Sequence, residues 1–404
     1  MSPLWRFVVL YALMYAAFGV ASPFMPAFFE ARGLAPEHLG VLFGAGTAIR
    51  LLSGPVAGRV ADLTQARRAV LTACTALAAL VTFALIPGHR FWTLVLISLC
   101  QAAVLAPITT LADALALGAA TPRDDDAARG FEYGWVRGTG SGLFIVGTLV
   151  SGQVVSAFGL TSIAVLQAGL LAAGASAAVF VPELVAPRVV AAADEAAHRG
   201  DLFELLAMPP FRSLMLVSAL VLGSHAMHDA FAVIRWSAAG VGPVMASVLW
   251  SESVAAEVVI FFLVGPVLVE RLSPPGAMGL AAAAGVVRWV TTALTAKVMP
   301  LALVQPLHGL TFAGLHLACM RLMTAIVPPG LAATAQAMYA FSAGATTALL
   351  TWASGALYGR LGAQGFLVMA LLSAVAVPLT LRLRRSTVSE PPVPNGPHGA
   401  NSAP

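Results

Sequence analysis

Six charged residues interrupt long apolar stretches of this chain, and they are the residues that point most directly to chemistry: Arg50, Asp113, Arg137, Glu257, Arg288 and Arg321. A charge at the centre of a bilayer costs at least about 2.5–3.5 kcal/mol, so it is kept where it faces a protein interior or a watery cavity. Charges of both signs in such positions predict a polar path through a membrane protein.

Three of these residues are candidates for binding a proton and an anion. Glu257 is the best proton carrier, because burial favours its neutral form and a nearby arginine favours its ionised form. Arg50 and Arg288 can each grip a carboxylate through two parallel hydrogen bonds. At 1.5 Å per residue, Arg50 and Glu257 lie roughly 20 Å into their helices from the outer side, and Arg288, about 11 residues in from the inner side, lies near the same level. We predict that they converge near the middle of the membrane, with the alternative that one arginine holds Glu257.

A second set of polar residues lies on the predicted fourth, fifth and tenth helices. Asp113 and Arg137 share a depth, which permits either a structural or gating ion pair or a direct substrate contact. His308 and His316 are eight residues apart, roughly 80° around a helix axis, so both can face one cavity. The alternative for the histidines is that a neighbouring helix satisfies them.

The run from His225 through His228 to Asp229 places three polar side chains on one helical face. This spacing is compatible with a metal site, but no further ligand cluster is visible in the sequence. We therefore predict a polar cavity wall that includes His225, and no metal.

The scaffold for these residues is predicted to be an all-α membrane protein. The chain is 59% hydrophobic and 10% charged, with a mean hydropathy of +0.88, whereas soluble domains are about 25% charged. A spanning helix needs about 20 mostly apolar residues. Twelve segments qualify: Leu4–Phe29, His38–Ala61, Ala69–Ile86, Phe91–Ala119, Tyr133–Ala157, Thr161–Val181, Phe211–Ser237, Pro243–Val269, Ala277–Val298, Leu301–Val327, Ala332–Leu357 and Gln364–Leu381.

The twelve segments divide into two halves. Residues 1–181 are predicted to form one six-helix bundle and residues 211–385 a second. Between them, residues 182–210 form a polar cytoplasmic linker, and residues 386–404 are rich in Pro, Ser, Gly and Asn, which is typical of a disordered tail.

The basic residues predict how the chain lies in an inner (plasma) membrane. If the N-terminus is inside, the thirteen residues Arg6, Arg59, Arg67, Arg68, Arg123, Arg129, Arg188, Arg199, Arg212, Arg271, Arg382, Arg384 and Arg385 face the cytoplasm. Five face outward: Arg32, Arg90, Arg235, Lys297 and Arg360. This bias places both termini in the cytoplasm. Because the arginines flank apolar runs instead of forming one patch, the net charge of +4 does not indicate nucleic-acid binding.

The loop between the second and third segments carries a motif, Gly58-Arg-Val-Ala-Asp62 followed by Arg67-Arg68. Together with the two six-helix halves, this motif resembles the major facilitator superfamily. The resemblance implies that Gly58, Asp62, Arg67 and Arg68 act in gating or conformational change.

A narrower resemblance is to the 3-phenylpropionate permease family, a relative of the oligosaccharide/proton symporters. It rests on Arg50 before Gly54-Pro55, Tyr133-Gly134-x-x-Arg137, Gly223-Ser-His225-Ala226, Glu257-Val258, Val287-Arg288-Trp289 and His308-Gly-Leu-Thr-Phe312 with His316-Leu-Ala. In those symporters, charged and histidine side chains stand where this chain has Asp113, Arg137, Glu257, Arg288 and His316. The resemblance implies that Glu257, His316 and Asp113 couple protons, and that Arg50, Arg288, His308, His225 and Arg137 bind substrate.

These observations predict a secondary carrier that works by alternating access. The resemblance implies proton-coupled uptake of a small aromatic acid, and the excess of intramembrane arginine over acid independently favours an anion. We expect a monomer in the lipid bilayer with no cofactor, because no nucleotide-binding motif is present and a proton gradient is the simplest drive. The alternatives are a proton-antiport exporter of drugs or sugars, a symporter of a neutral sugar or nucleoside, and a non-transporting receptor or membrane enzyme.

Overall fold

A computed structural model describes residues 1–120, 131–183 and 202–389, with side chains described to residue 385. The first half of the chain forms six long helices: α1 (Pro3–Ala21), α2 (Pro36–Thr64), α3 (Arg67–Ala84), α4 (Phe91–Ala120), α5 (Tyr133–Phe158) and α6 (Thr161–Ala178). The predicted first segment is divided in two, because α1 ends before Pro23 and a short helix follows at Met25–Glu30. A proline interrupts the helical hydrogen bonds at this point.

The second half contains six more long helices, three of which are segmented. α7 comprises Pro209–Gly223 and Ala226–Ala238, and α8 comprises Pro243–Val259, the π-helix Ile260–Val264 and Gly265–Leu272. α9 is Pro274–Leu294. α10 comprises Val298–Val304, Leu307–Gly309, the π-helix Leu310–Gly314 and Leu315–Ile326, and it is followed by α11 (Ala332–Leu361) and α12 (Phe366–Ser389).

The prediction of twelve spanning helices is confirmed. In the part of the chain that the structure describes, eleven stretches are long and apolar enough to cross a membrane, and the last of them, Pro329–Arg385, contains both α11 and α12. α12 continues to Ser389, past the tail boundary predicted at residue 386. The helix can extend this far because the proline-rich sequence begins only at Pro391.

The linker and tail are described only in part. Residues 202–207 of the predicted linker are helical. Residues 184–201 of the linker and 390–404 of the tail lie outside the described residues, as do four arginines counted as cytoplasmic: Arg123, Arg129, Arg188 and Arg199.

The hydrophobic core shows how the two halves meet. At the end of the bundle where α2 and α8 begin, one cluster of buried side chains runs through both halves, including Phe28 and Leu94 from the first and Trp236 and Leu301 from the second. We call this the joined end. At the opposite, separated end the buried side chains form two clusters, one within each half. Among the described residues, the halves therefore share a core at the joined end alone.

Close helix contacts across the halves lie at the same joined end. A Cβ atom on Gly40 of α2 would lie 2.8 Å from the Cα atom of Gly355 on α11, and one on Gly44 would lie 2.9 Å from the carbonyl oxygen of Ala348. A Cβ atom on Gly152 of α5 would lie 2.6 Å from that of Ser247 on α8. Only glycine permits such approaches, because any side chain would displace the facing helix.

Candidate functional site

A cavity of about 600 Å³ lies in the first half, and the second half reaches its lining at one residue. α1, α2, α4, α5 and α6 provide most of its lining, and Asp229 of α7 is the residue that the second half contributes. Its polar lining includes Arg50, Gln101 and Gln167, and its apolar lining includes four phenylalanines: Phe18, Phe29, Phe43 and Phe144. The cavity therefore offers both charged and aromatic surface to a small molecule.

Arg50 and Asp229 bring opposite charges to this cavity. Both side chains are exposed within it although they lie in the middle of long helices. Among the described residues, Arg50 forms no hydrogen bond or ion pair, and Asp229 pairs only with its neighbour His228, with 3.4 Å between Oδ1 and Nδ1. The guanidinium of Arg50 is thus free to bind an anion, as predicted for this residue.

Arg288 is held in a different environment, sealed within the second half at 1% exposure. Its Nη1 donates to Nδ1 of His308 and to Oγ1 of Thr311, each at 3.3 Å, and its Nη2 donates to Oε1 of Gln305 at 3.3 Å. The guanidinium carbon lies 4.4 Å from the ring centroid of Trp289. Arg288 does not line the cavity that contains Arg50, but it interacts electrostatically with Asp229, which does. The convergence of the two arginines therefore stays a prediction.

His225 extends this buried network. Its Nδ1 donates to the carbonyl oxygen of Val221 at 3.0 Å, because a carbonyl can only accept. The other ring nitrogen, Nε2, is then an acceptor, and the hydroxyl of Thr311 lies 2.9 Å from it. His225 also marks the break in α7, where the helix stops at Gly223 and restarts at Ala226. The structure therefore brings His225 together with Arg288 and His308, outside the cavity lining.

Glu257 lies next to His308, at the edge of the buried network around Arg288. Since Nδ1 of His308 accepts from Arg288, its Nε2 carries the hydrogen, and this nitrogen lies 3.6 Å from Oε2 of Glu257. Glu257 also interacts electrostatically with Arg137 of α5 and with His316. Among the described residues, Glu257 pairs directly with neither Arg50 nor Arg288, and Arg288 reaches it through His308.

Two π-helices position this part of the site. Ile260–Val264 follows Glu257 by one turn in α8, and Leu310–Gly314 follows His308 in α10. α8 and α10 approach closely at Gly309, where a Cβ atom would lie 2.6 Å from the carbonyl oxygen of Ala256. Single π-turns inside α-helices occur frequently at functional sites.

The predicted ion pair between Asp113 and Arg137 is not present among the described residues. Asp113 instead accepts hydrogen bonds from the hydroxyls of Tyr11 and Tyr133, the latter at 2.7 Å. The guanidinium carbon of Arg137 lies 5.1 Å from the ring centroid of Tyr15. Two tyrosine hydroxyls satisfy the half-buried carboxylate, which leaves Arg137 free to face Glu257 in the other half.

The remaining predicted residues lie apart from the cavity. His316 contacts Tyr339, with 3.3 Å between Nδ1 and the hydroxyl oxygen. Where α2 ends and α3 begins, Asp62 pairs with Arg67 at 2.7 Å, and the side chain of Arg68 lies 3.8 Å from the carboxylate of Glu183. A Cβ atom on Gly58 would meet no described atom within 4 Å. The contacts of the loop motif stay within the first half, and its gating role stays a prediction.

Several polar residues of the site carry no charge, and the pattern of charges in the sequence does not reveal them: Tyr11, Gln101, Gln167, Gln305 and Thr311. The signal available in the sequence is an amide or hydroxyl inside an apolar segment. Such residues lower the mean hydropathy of a segment only slightly, so a search for charges passes over them.

The family can be assigned by comparison with known proteins. The sequence model of the MFS_1 like family matches residues 4–368. The chain belongs to the MFS_1-like family. The protein called "probable 3-phenylpropionic acid transporter" of Escherichia coli (strain K12) is 31% identical to this chain over 371 residues, which cover 91% of this chain and 94% of that protein.

Solved structures share the fold of this MFS_1-like protein. The nucleoside transporter NupG superposes with a TM-score of 0.80 over 96% of this chain and 100% of NupG, at 17% identity. A bacterial homologue of the human lysosomal transporter Spinster, solved in an inward-facing and unoccupied conformation, gives a TM-score of 0.72 at 16% identity, covering 97% and 98% of the two chains. These structures show the fold, and the family match together with the Escherichia coli relative identifies the chain as a multi-pass secondary transporter of the major facilitator type and not an enzyme.

Proposed function

We propose that this transporter takes up a small aromatic carboxylic acid together with protons. Arg50 carries the proposal, because among the described residues it is an unpaired guanidinium, exposed in a cavity lined by phenylalanine rings. A guanidinium prefers a carboxylate, and the rings suit an aromatic group. The Escherichia coli relative is called a probable 3-phenylpropionic acid transporter, which supports the same substrate class.

Glu257 is the proposed site of proton coupling. It lies at the boundary between the halves, with His308 on one side and Arg137 of the first half on the other. A movement of the halves would change its distance from Arg137, and with it the relative stability of the charged and neutral carboxyl. His316 is the second titratable group near Glu257, and we propose that it assists.

The proposed orientation places the joined end of the bundle outside. Both termini are then cytoplasmic, as the distribution of basic residues favours. In this orientation the shared core closes the outer side, and the cavity is reached from the cytoplasmic side. The protein is then in the state that releases substrate into the cell.

Arg50→Lys tests the substrate assignment. Lysine keeps the charge but loses the planar fork, so we expect 3-phenylpropionate to bind the variant about tenfold or more weakly than the parent. Isothermal calorimetry with the acid and with its neutral amide measures the effect. Arg321→Lys is the matched control, because Arg321 is an exposed arginine of α10 that does not line the cavity. Equal parent affinity for the acid and the amide would exclude a carboxylate anchor.

A further inference from the structure

The cavity contains two opposite charges that do not neutralise each other. Arg50 comes from α2 and Asp229 from α7, and both line the same space. Within the described part of the chain, no ion pair of 4.0 Å or less joins them. Asp229 also interacts electrostatically with Arg288, His225 and His308, but among the described residues none of these three forms a hydrogen bond or ion pair with it. A ligand that hydrogen-bonds to both Arg50 and Asp229 therefore stabilises the occupied site.

Asp229 has hydrogen-bonding capacity to spare. Its side chain is 56% exposed, and its contact with His228 uses Oδ1 alone. An ionised carboxylate can only accept hydrogen bonds. The group that complements it on a ligand is therefore a donor, such as a hydroxyl or an ammonium, and a second carboxylate is the group that it repels.

The surface around the two charges describes the rest of the ligand. Four phenylalanine rings share the wall with the amides of Gln101 and Gln167. A cavity of about 600 Å³ falls within the usual range of roughly 300–1,000 Å³ for small-molecule sites. It can hold a ligand with one aromatic ring and a short acidic chain, with space for a substituent on the ring.

We propose that Asp229 determines specificity by selecting aromatic acids that carry a hydrogen-bond donor on the ring, remote from the carboxylate. The proposal rests on the function proposed above, in which Arg50 holds the carboxylate. Without the donor, the acceptor oxygens of Asp229 lose their partner when the ligand displaces water, and binding weakens. Sites built to hydrogen-bond a substrate reject analogues that lack the partner group more strongly than apolar pockets reject a missing methylene.

Three matched acids test the selection: 3-phenylpropionate, its 4-hydroxyphenyl analogue and its 4-carboxyphenyl analogue. Calorimetry on the full chain is expected to show the hydroxylated acid binding about tenfold more tightly than the unsubstituted acid, and the dicarboxylate binding most weakly. Asp229→Leu should bring the first two affinities to within about twofold. Asp229→Asn keeps the shape without the charge and should raise the affinity for the dicarboxylate about tenfold or more.

Glu252→Gln is the matched control, because Glu252 is a half-buried acid of α8 outside the cavity lining. This variant should bind the three acids in the same order of affinity as the parent protein. If Asp229→Leu does not fold, the affinity of Asp229→Asn for the dicarboxylate tests the proposal by itself. Equal parent affinity for the hydroxylated and unsubstituted acids, or an unchanged dicarboxylate affinity in Asp229→Asn, overturns this inference and leaves the proposed function intact. A parent that binds none of the three acids overturns the proposed function itself.

Discussion

Glu257 stands between a histidine of its own half and an arginine of the other. Nε2 of His308 lies 3.6 Å from its carboxylate, and Arg137 interacts with it across the boundary between the halves. The charge on Glu257 therefore links the buried network around Arg288 to the first half. A neutral Glu257 loses the attraction to Arg137 and leaves the halves with one fewer electrostatic contact.

Replacing Glu257 by Gln should separate accumulation from exchange. The amide imitates the protonated acid and cannot release a proton, so we expect proton-driven accumulation to be lost while exchange of labelled for unlabelled substrate continues. Both are measured in proteoliposomes, with and without an imposed pH gradient. Glu252→Gln on the same helix provides the control. Full accumulation by the Glu257→Gln transporter would remove this residue from the coupling mechanism.

Asp113 should be coupled energetically to tyrosine and not to arginine. Removing one partner of a buried hydrogen-bonded group leaves the other unsatisfied, so residues in direct contact show interaction energies of about 0.5–3 kcal/mol. We expect such coupling between Asp113→Asn and Tyr133→Phe. The cycle of Asp113→Asn with Arg137→Gln should instead be additive within about 0.5 kcal/mol. Thermal unfolding of the purified variants measures both cycles. Strong coupling between Asp113→Asn and Arg137→Gln would support the ion pair between Asp113 and Arg137.

At the scale of helices, the joined end depends on backbones that approach closely. The contact of α2 with α11 at Gly44 leaves no space for a methyl group, since its Cβ atom would also lie 2.9 Å from that of Trp352. Further along α2, a Cβ atom on Gly54 would have no described atom within 4 Å. The interface with α11 thus requires a glycine at position 44 of α2, whereas the packing of α2 in this conformation does not require one at position 54.

Gly44→Ala should destabilise the protein by about 1–3 kcal/mol, because the added methyl group overpacks the interface. Gly54→Ala is the matched control, with the same change on the same helix in open space. Because Gly54 precedes Pro55, whose ring disfavours a helical residue with a Cβ before it, alanine gains nothing there, but the variant should destabilise the protein less than Gly44→Ala does. The unfolding midpoint in detergent measures both variants. Equal midpoints would show that α2 and α11 do not pack as closely as described.

The helices themselves could largely be predicted from the sequence, but the directions of their side chains could not. A spanning helix satisfies its own backbone, so apolar length alone identifies it. Depth along a helix placed Arg50 and Arg288 at one level, yet it does not say which face each occupies, and Arg288 is sealed in its own bundle. For Asp113 the partners are uncharged tyrosines, which a search for opposite charges does not find.

At the scale of the whole molecule, the joined and separated ends make opposite predictions for labelling. Thr64 ends α2 at the separated end, and Lys297 precedes α10 at the joined end, and both are exposed. After Cys74, Cys100 and Cys319 are replaced, a membrane-impermeant maleimide should label Lys297→Cys in right-side-out vesicles. It should label Thr64→Cys only in inside-out vesicles. The reverse pattern would invert the proposed orientation.

The π-helices in α8 and α10 also bear on how the length of this chain can vary. A π-turn contains one residue more than the α-turn it replaces, so deleting a residue within Ile260–Val264 returns α8 to a regular helix and keeps the faces on either side aligned. Deleting a residue elsewhere in α8 turns one part of the helix by about 100° relative to the other and carries Glu257 away from His308. These two short segments are therefore where natural relatives can differ by one residue in length without losing the register of the site.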